Sequence, residues 1–291
     1  MRFEGMVYRP PSEANSLIIQ ATVGCPHNRC AFCSMYRESR FKIRFVEEIK
    51  KDLDMAQKYY GDAVRSVFFA DGNTIVMKTG ELVEIFQYAG EIFKELERIT
   101  IYGSARFVLK KTVAELRMLR EAGLKRIHSG MESGDDEVLR TICKGADREG
   151  VIRAGKMVKE AGIELSEYMI VGVGGRELSQ QHAINSATAL NEINPDFIRL
   201  RTFMPVRGTE LYGKYREGGF SLLSPHEALR ETRLFVEHLQ GIDSLLYSDH
   251  ISNYWDVHGK LMDDKETILR EIDYALTLPE KNFRDPERVR L

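Results

Sequence analysis

A chain of 291 residues with 43% hydrophobic content is long enough to bury the core of a single α/β barrel with a tail. Its formal charge of −2 and pI near 6.4 give no general attraction to nucleic acid, so RNA and DNA are not expected partners. No run approaches the roughly 20 apolar residues of a membrane span, and the N-terminal MRFEGMVYRP lacks the apolar core of a signal peptide, so a cytoplasmic location is expected.

Apolar runs predict six strands, near 16–24, 66–72, 98–105, 126–132, 164–173 and 197–204. Amphipathic stretches at 45–60, 80–96, 112–122, 148–161 and 179–193 lie between them and read as crossover helices, most ending near a Gly or Asn. Regular alternation of this kind implies parallel pairing through right-handed βαβ units. The expected fold is α/β, a partial (β/α)6 TIM-like barrel over 1–223, with a helical C-terminal extension over 224–291 packing on it. In that extension 224–240 and 265–276 read as helices, and between them lies the unusual stretch LLYSDHISNYWDVHG. In such barrels chemistry gathers where strands end, so the residues that follow each strand are read first.

The loop after the first strand, TVGCPHNRCAFC, holds Cys25, Cys30 and Cys33, spaced five and three positions apart. Four cysteines in so long a chain are too few for a disulfide scaffold, and this clustering points to metal. A four-iron cluster needs one ligand per iron, so three thiolates leave one iron open to another ligand. Structural zinc, with His27 as a fourth ligand, and three unconnected core cysteines are the alternatives.

CPHNRCAFC after the first strand of a βα repeat resembles the cluster loop of the radical S-adenosylmethionine (SAM) superfamily. Members typically space the cysteines with gaps of three and two, whereas here the first gap is four; Phe32 keeps the aromatic position before the last cysteine. The likeness covers about 15–210 and is nearest to the branch of oxygen-independent coproporphyrinogen oxidases. It implies a [4Fe–4S] cluster whose open iron binds SAM, reductive cleavage of SAM, and a radical that takes a hydrogen atom from a small, possibly anionic substrate. A reducing partner such as flavodoxin or ferredoxin and an anaerobic or well-protected cell are implied with it. A non-catalytic iron-sulfur or zinc protein, and a radical SAM enzyme acting on RNA or protein, stand as the other readings.

The resemblance also implies where SAM is held. In FFADGNT, Gly72 allows close backbone approach and Asn73 stands where the family has an acid for the methionine amino group, with Asp71 as a substitute. In YGSAR, Ser104 and Arg106 share one face by period two and are candidates for the SAM carboxylate. Glu132 in HSGMESG matches the acid that binds the ribose hydroxyls, while His128, expected on the same face, reads as a satisfied core histidine. Gly172, Gly174 and Gly175 after the fifth strand leave room for adenine, and Arg199 and Arg201 share one face of the sixth, facing either SAM or an anionic substrate. Cys143 reads as a small buried residue, with hydrogen-atom donor as its functional alternative. Asp249, His250, Asn253, Trp255 and His258 are polar and aromatic enough to cap a barrel mouth and recognise substrate, or to form a packed surface loop.

Overall fold

The computed structural model describes residues 1–285; the last six residues of the expected extension lie outside the described residues. The six expected strands all form: β1 (Leu17–Gln20), β2 (Ser66–Ala70), β3 (Arg98–Tyr102), β4 (Leu124–Glu132), β5 (Glu164–Val171) and β6 (Phe197–Thr202). Two more follow in the extension, β7 (Leu245–Tyr247) and β8 (His258–Lys260). These eight make a mostly parallel sheet. The extension is therefore not only helical, because the unusual stretch between its helices supplies both added strands.

The chain divides into two compact units. The first comprises Met1–Asn28, Met35–Ser129 and Lys156–Leu165, and in it β1 pairs β2, β2 pairs β3 and β3 pairs β4, all in parallel. Val67, Phe68, Phe69 and Ala70 of β2 have no solvent exposure, the mark of a parallel strand covered on both faces. The N-terminal segment is pinned by the buried Glu13, whose carboxylate meets His128 Nε2 at 2.9 Å and Arg98 at 3.3 Å. Burial alone would raise Glu13, but hydrogen bonds from His128 and Ser16 hold it down at about 2. His128 is thus the core histidine expected. Helix Val46–Tyr60 buries Ile49, Leu53 and Ala56 and stops at Gly61, whose φ of 55° suits glycine. Helix Val113–Glu121 starts in a capping box of Thr112 and Glu115.

The second unit comprises Arg29–Ser34, Gly130–Gly155 and the described chain from Ser166 on. In it β5 and β6 pair in parallel, β6 and β7 likewise, and β8 closes antiparallel on β7. Helix Gly175–Ile193 begins four residues before the expected 179 and ends at Asn194 in the left-handed conformation. Helix Pro225–His238 is opened by a Ser224–Glu227 capping box with proline at its first position. No helix among the described residues is long and apolar enough to cross a membrane.

Candidate active site

The cysteine loop begins in the first unit. Gly24 takes a φ of 74°, and Cys25 follows it half-buried. A Cβ on Gly72 would lie 3.1 Å from Cys25 Cβ, 3.0 Å from the Tyr36 ring and 3.2 Å from Gly24 O. The close approach expected of Gly72 is therefore made to the cysteine itself. Asn73 is buried, with Nδ2 3.8 Å from Cys25 Sγ, while its Oδ1 accepts the Ser104 N–H at 2.7 Å. The Asn73 oxygen thus holds Ser104 with one lone pair and keeps the other for the amino group expected there, while its N–H points at sulfur.

Asp71, the substitute expected for that role, is held by neighbouring donors. It is 1% exposed and receives Gln20 Nε2 at 3.0 Å, Tyr36 OH at 2.8 Å and Gly24 N–H at 3.4 Å. Burial pushes its carboxyl above the usual range against the pull of those hydrogen bonds. The same hub holds Tyr36, whose ring stands edge-on to Tyr8 and whose carbonyl accepts Asn28 Nδ2 at 2.7 Å. Burial and then Asp71 raise the Tyr36 phenol, which stays protonated.

β3 stops at Tyr102, so the period-two argument for Ser104 and Arg106 fails. Ser104 instead precedes a one-turn helix, Ala105–Val108, and Arg106 is exposed on it, donating to His27 Nδ1 at 3.0 Å. Arg106 thus reaches the cysteine loop through His27.

The second unit carries Cys30 and Cys33, also half-buried, with the Cys33 N–H on Cys30 O at 3.2 Å. Between them Ala31, with no exposure, donates to Ile142 O at 2.9 Å and accepts from Leu211 N at 3.0 Å. It belongs to an apolar cluster with Val138, Leu139, Ile142, Ile170, Val173, Phe203 and Leu211, against which Phe32 packs.

Glu132 ends β4 at a φ of 61°, with its side chain 13% exposed and 2.8 Å from Lys144 Nζ. Gly130 is needed for this, because a Cβ there would fall 2.1 Å from Glu132 Oε1. Lys144 Nζ also stands 6.0 Å from the centre of the Phe32 ring. One ammonium thus joins the cysteine loop to the acid expected to hold ribose. Sequence reasoning missed Lys144; the TICKG segment that closes a short helix was its only signal.

Other expectations are revised. Cys143 is exposed, not buried, because it follows helix Asp136–Thr141 in the left-handed conformation that turns the chain outward. Gly172 and Gly175 have positive φ, but a Cβ on them would meet Leu223 at 3.3 Å and the Phe220 ring at 3.1 Å. One on Gly174 would meet Val138 at 3.0 Å. These glycines serve the turn and its close packing. Arg199 is buried and stacks 4.8 Å over Tyr247, and Arg201 is exposed. Asn253 is a buried staple, donating to Leu200 O and Ser248 O and meeting Thr202 Oγ1. Trp255 packs edge-on to Tyr274 and Phe283, and His258 is exposed on β8. The segment of Asp249, His250 and Asn253 is thus fastened to the end of β6.

The donor set fits an iron-sulfur cluster. No disulfide joins the cysteines, Gly72 leaves room beside Cys25 that a Cβ would fill, and the Asn73 amide faces its sulfur. Among the described residues no three His, Cys, Asp or Glu side chains gather as around a single ion, but each thiolate of a cluster takes its own iron. The family model described as "Radical SAM superfamily" matches residues 19–186. The chain belongs to the radical SAM superfamily. It is an enzyme of that superfamily, and its cofactors are a [4Fe–4S] cluster and SAM.

The chain is 25% identical over 227 residues to the uncharacterized protein MJ0486 of Methanocaldococcus jannaschii, covering 75% of this chain and 69% of that one. It is 26% identical over 218 residues to a biotin synthase of Methanococcus aeolicus, covering 73% of this chain and 63% of the synthase. Coproporphyrinogen III oxidase from Escherichia coli, described as a radical SAM enzyme, superposes with a TM-score of 0.55 at 17% identity, over 76% of this chain and 52% of the oxidase. That likeness shows the fold alone, and it bears out the α/β partial-barrel class. The chain spans under two thirds of both the synthase and the oxidase, whose activities stay their own.

Proposed function

We propose that Cys25, Cys30 and Cys33 each ligate one iron of the cluster, and that the enzyme uses SAM to take a hydrogen atom from a small organic substrate. When bound, the reduced cluster supplies one electron that cleaves SAM to methionine and a 5′-deoxyadenosyl radical. The observation that carries this is the three-cysteine loop after β1, with Gly72 and Asn73 set against Cys25. The Glu132 carboxylate receives the ribose hydroxyls, and Lys144 fixes its direction. Ser104, held by Asn73, and Arg106, beside His27 of the loop, are the groups for the SAM carboxylate. Residues 1–223 are assigned this machinery, and residues 224–291 form a C-terminal extension. The thiolates suit a reducing cytoplasm and an anaerobic cell, with flavodoxin or ferredoxin as electron donor.

Anaerobic reconstitution followed by iron analysis and SAM titration tests the assignment. Wild type should hold about four irons, and Cys30→Ala should hold almost none; unchanged iron would remove Cys30 as a ligand. Glu132→Ala should keep the cluster and weaken SAM binding, and an unaltered affinity would end the ribose role.

A further inference from the structure

The second unit carries buried polar atoms that the SAM-binding groups do not use. Arg199 is 9% exposed, and its Nε is buried with no hydrogen-bond partner among the described residues. The exposed Asp249 stands 3.9 Å from Arg199 Nη1, beyond hydrogen-bond reach. On the same face of the sheet, Ser166 has no exposure, and its Oγ likewise finds no partner among the described residues. A buried guanidinium edge and a buried hydroxyl left this way destabilise the fold unless something polar meets them.

Strand register gathers these groups. Ser166 lies beside Phe197, Tyr168 beside Arg199 and Ile170 beside Arg201, while Tyr247 flanks Arg199 from β7. Side chains alternate across a strand, so Arg199 and Arg201 share the face opposite the fully buried Ile198 and Leu200. Arg201 is exposed and forms no ion pair among the described residues. Its neighbour Ile170 packs in the apolar cluster that includes Ala31 and borders Phe32, which brings this face to the Cys30–Cys33 segment. Burial, followed by the charges of Arg201 and Arg284, holds the nearby His250 imidazole down at about 4.

Resting on the radical SAM reading above, we propose that Arg199 and Arg201 bind a carboxylate of the substrate, which is therefore a small organic acid, and that neither arginine holds SAM. The Tyr247 ring covers one face of the Arg199 guanidinium, whose Nε–H on the edge has no hydrogen-bond acceptor among the described residues. A planar edge with Nε–H and Nη–H side by side matches the two oxygens of a carboxylate. Arg201 adds the second positive charge, and Ser166 sits deeper on the same face.

Malonate is the probe, applied anaerobically to the reconstituted holoenzyme with SAM at saturation, against chloride of equal ionic strength. The expected result is a malonate-dependent rise in melting temperature of about 2 °C or more, lost in Arg199→Gln and in Arg201→Gln. Arg201 is exposed, so its variant keeps the test decisive even where Arg199→Gln folds poorly. SAM affinity, followed by the EPR signal of the reduced cluster, should stay within about twofold in Arg201→Gln. No malonate shift in wild type, or a shift that survives in Arg201→Gln, overturns the proposal. A tenfold loss of SAM affinity in Arg201→Gln also overturns it, by assigning the arginines to SAM. The malonate shift needs no turnover, so its failure is separate from a failure of wild type to form 5′-deoxyadenosine.

Discussion

The two limbs of the cysteine loop are built by opposite means. Around Cys25 the chain is held by polar side chains: the Asp71 carboxylate collects Gln20, Tyr36 and the Gly24 N–H, Asn28 reaches Tyr36 O, and Asn73 turns its amide toward sulfur. Around Cys30 and Cys33 it is held by two backbone hydrogen bonds of Ala31 and by apolar packing. A limb fastened through one buried acid is vulnerable to a single polar substitution and to pH. One fastened by backbone and volume is sensitive to size and indifferent to protons.

The largest break should come from Asp71→Ala, which strands three donors in a buried site and should destabilise the protein by about 3 kcal/mol or more in anaerobic urea unfolding. Ala31→Leu attacks the other limb by overpacking, with an expected cost of about 1–3 kcal/mol in the same assay. Tyr36→Phe removes one donor from Asp71 and should cost about 1 kcal/mol, against no measurable effect of a distant exposed change such as Lys94→Gln.

The smallest effect concerns protons. Burial raises the Asp71 carboxyl, so the folded chain holds that proton more tightly than the unfolded one. Its contribution is full below the ordinary carboxylate range and is lost as pH rises through the raised value. Wild-type stability should therefore carry a downward component as pH climbs above that range, and Asp71→Asn should remove it. Ala31→Leu should leave that component in place. Equal pH slopes in wild type and Asp71→Asn would erase the proposed contrast between the limbs.

Much of this was legible in the sequence, for identifiable reasons. The six core strands announce themselves as apolar runs such as SVFFA, and three cysteines clustered within nine residues point to metal on their own. Local signals failed where distant residues decide. Asp71 looks like the start of a turn, yet its partners Gln20 and Tyr36 lie 51 and 35 positions away. Ser104 reads as strand because a one-turn helix is too short for periodicity to show. β7 and β8 are three residues each inside a polar stretch and form by pairing with β6 and with each other. Glu231 could have been noticed: it falls on the stripe of Ala228, Thr232 and Phe235 that its helix buries. It accepts the Gly172 N–H at 2.6 Å and the Ser179 hydroxyl, fixing the glycine turn read from sequence as an adenine slot.

The decisive experiment incubates the anaerobically reconstituted enzyme with dithionite and SAM and measures 5′-deoxyadenosine by mass spectrometry, while following the EPR signal of the cluster. Wild type should form 5′-deoxyadenosine and Cys30→Ala none, and the EPR signal should change when SAM is added. A reconstituted four-iron cluster that forms no 5′-deoxyadenosine and whose signal ignores SAM would contradict the proposed function.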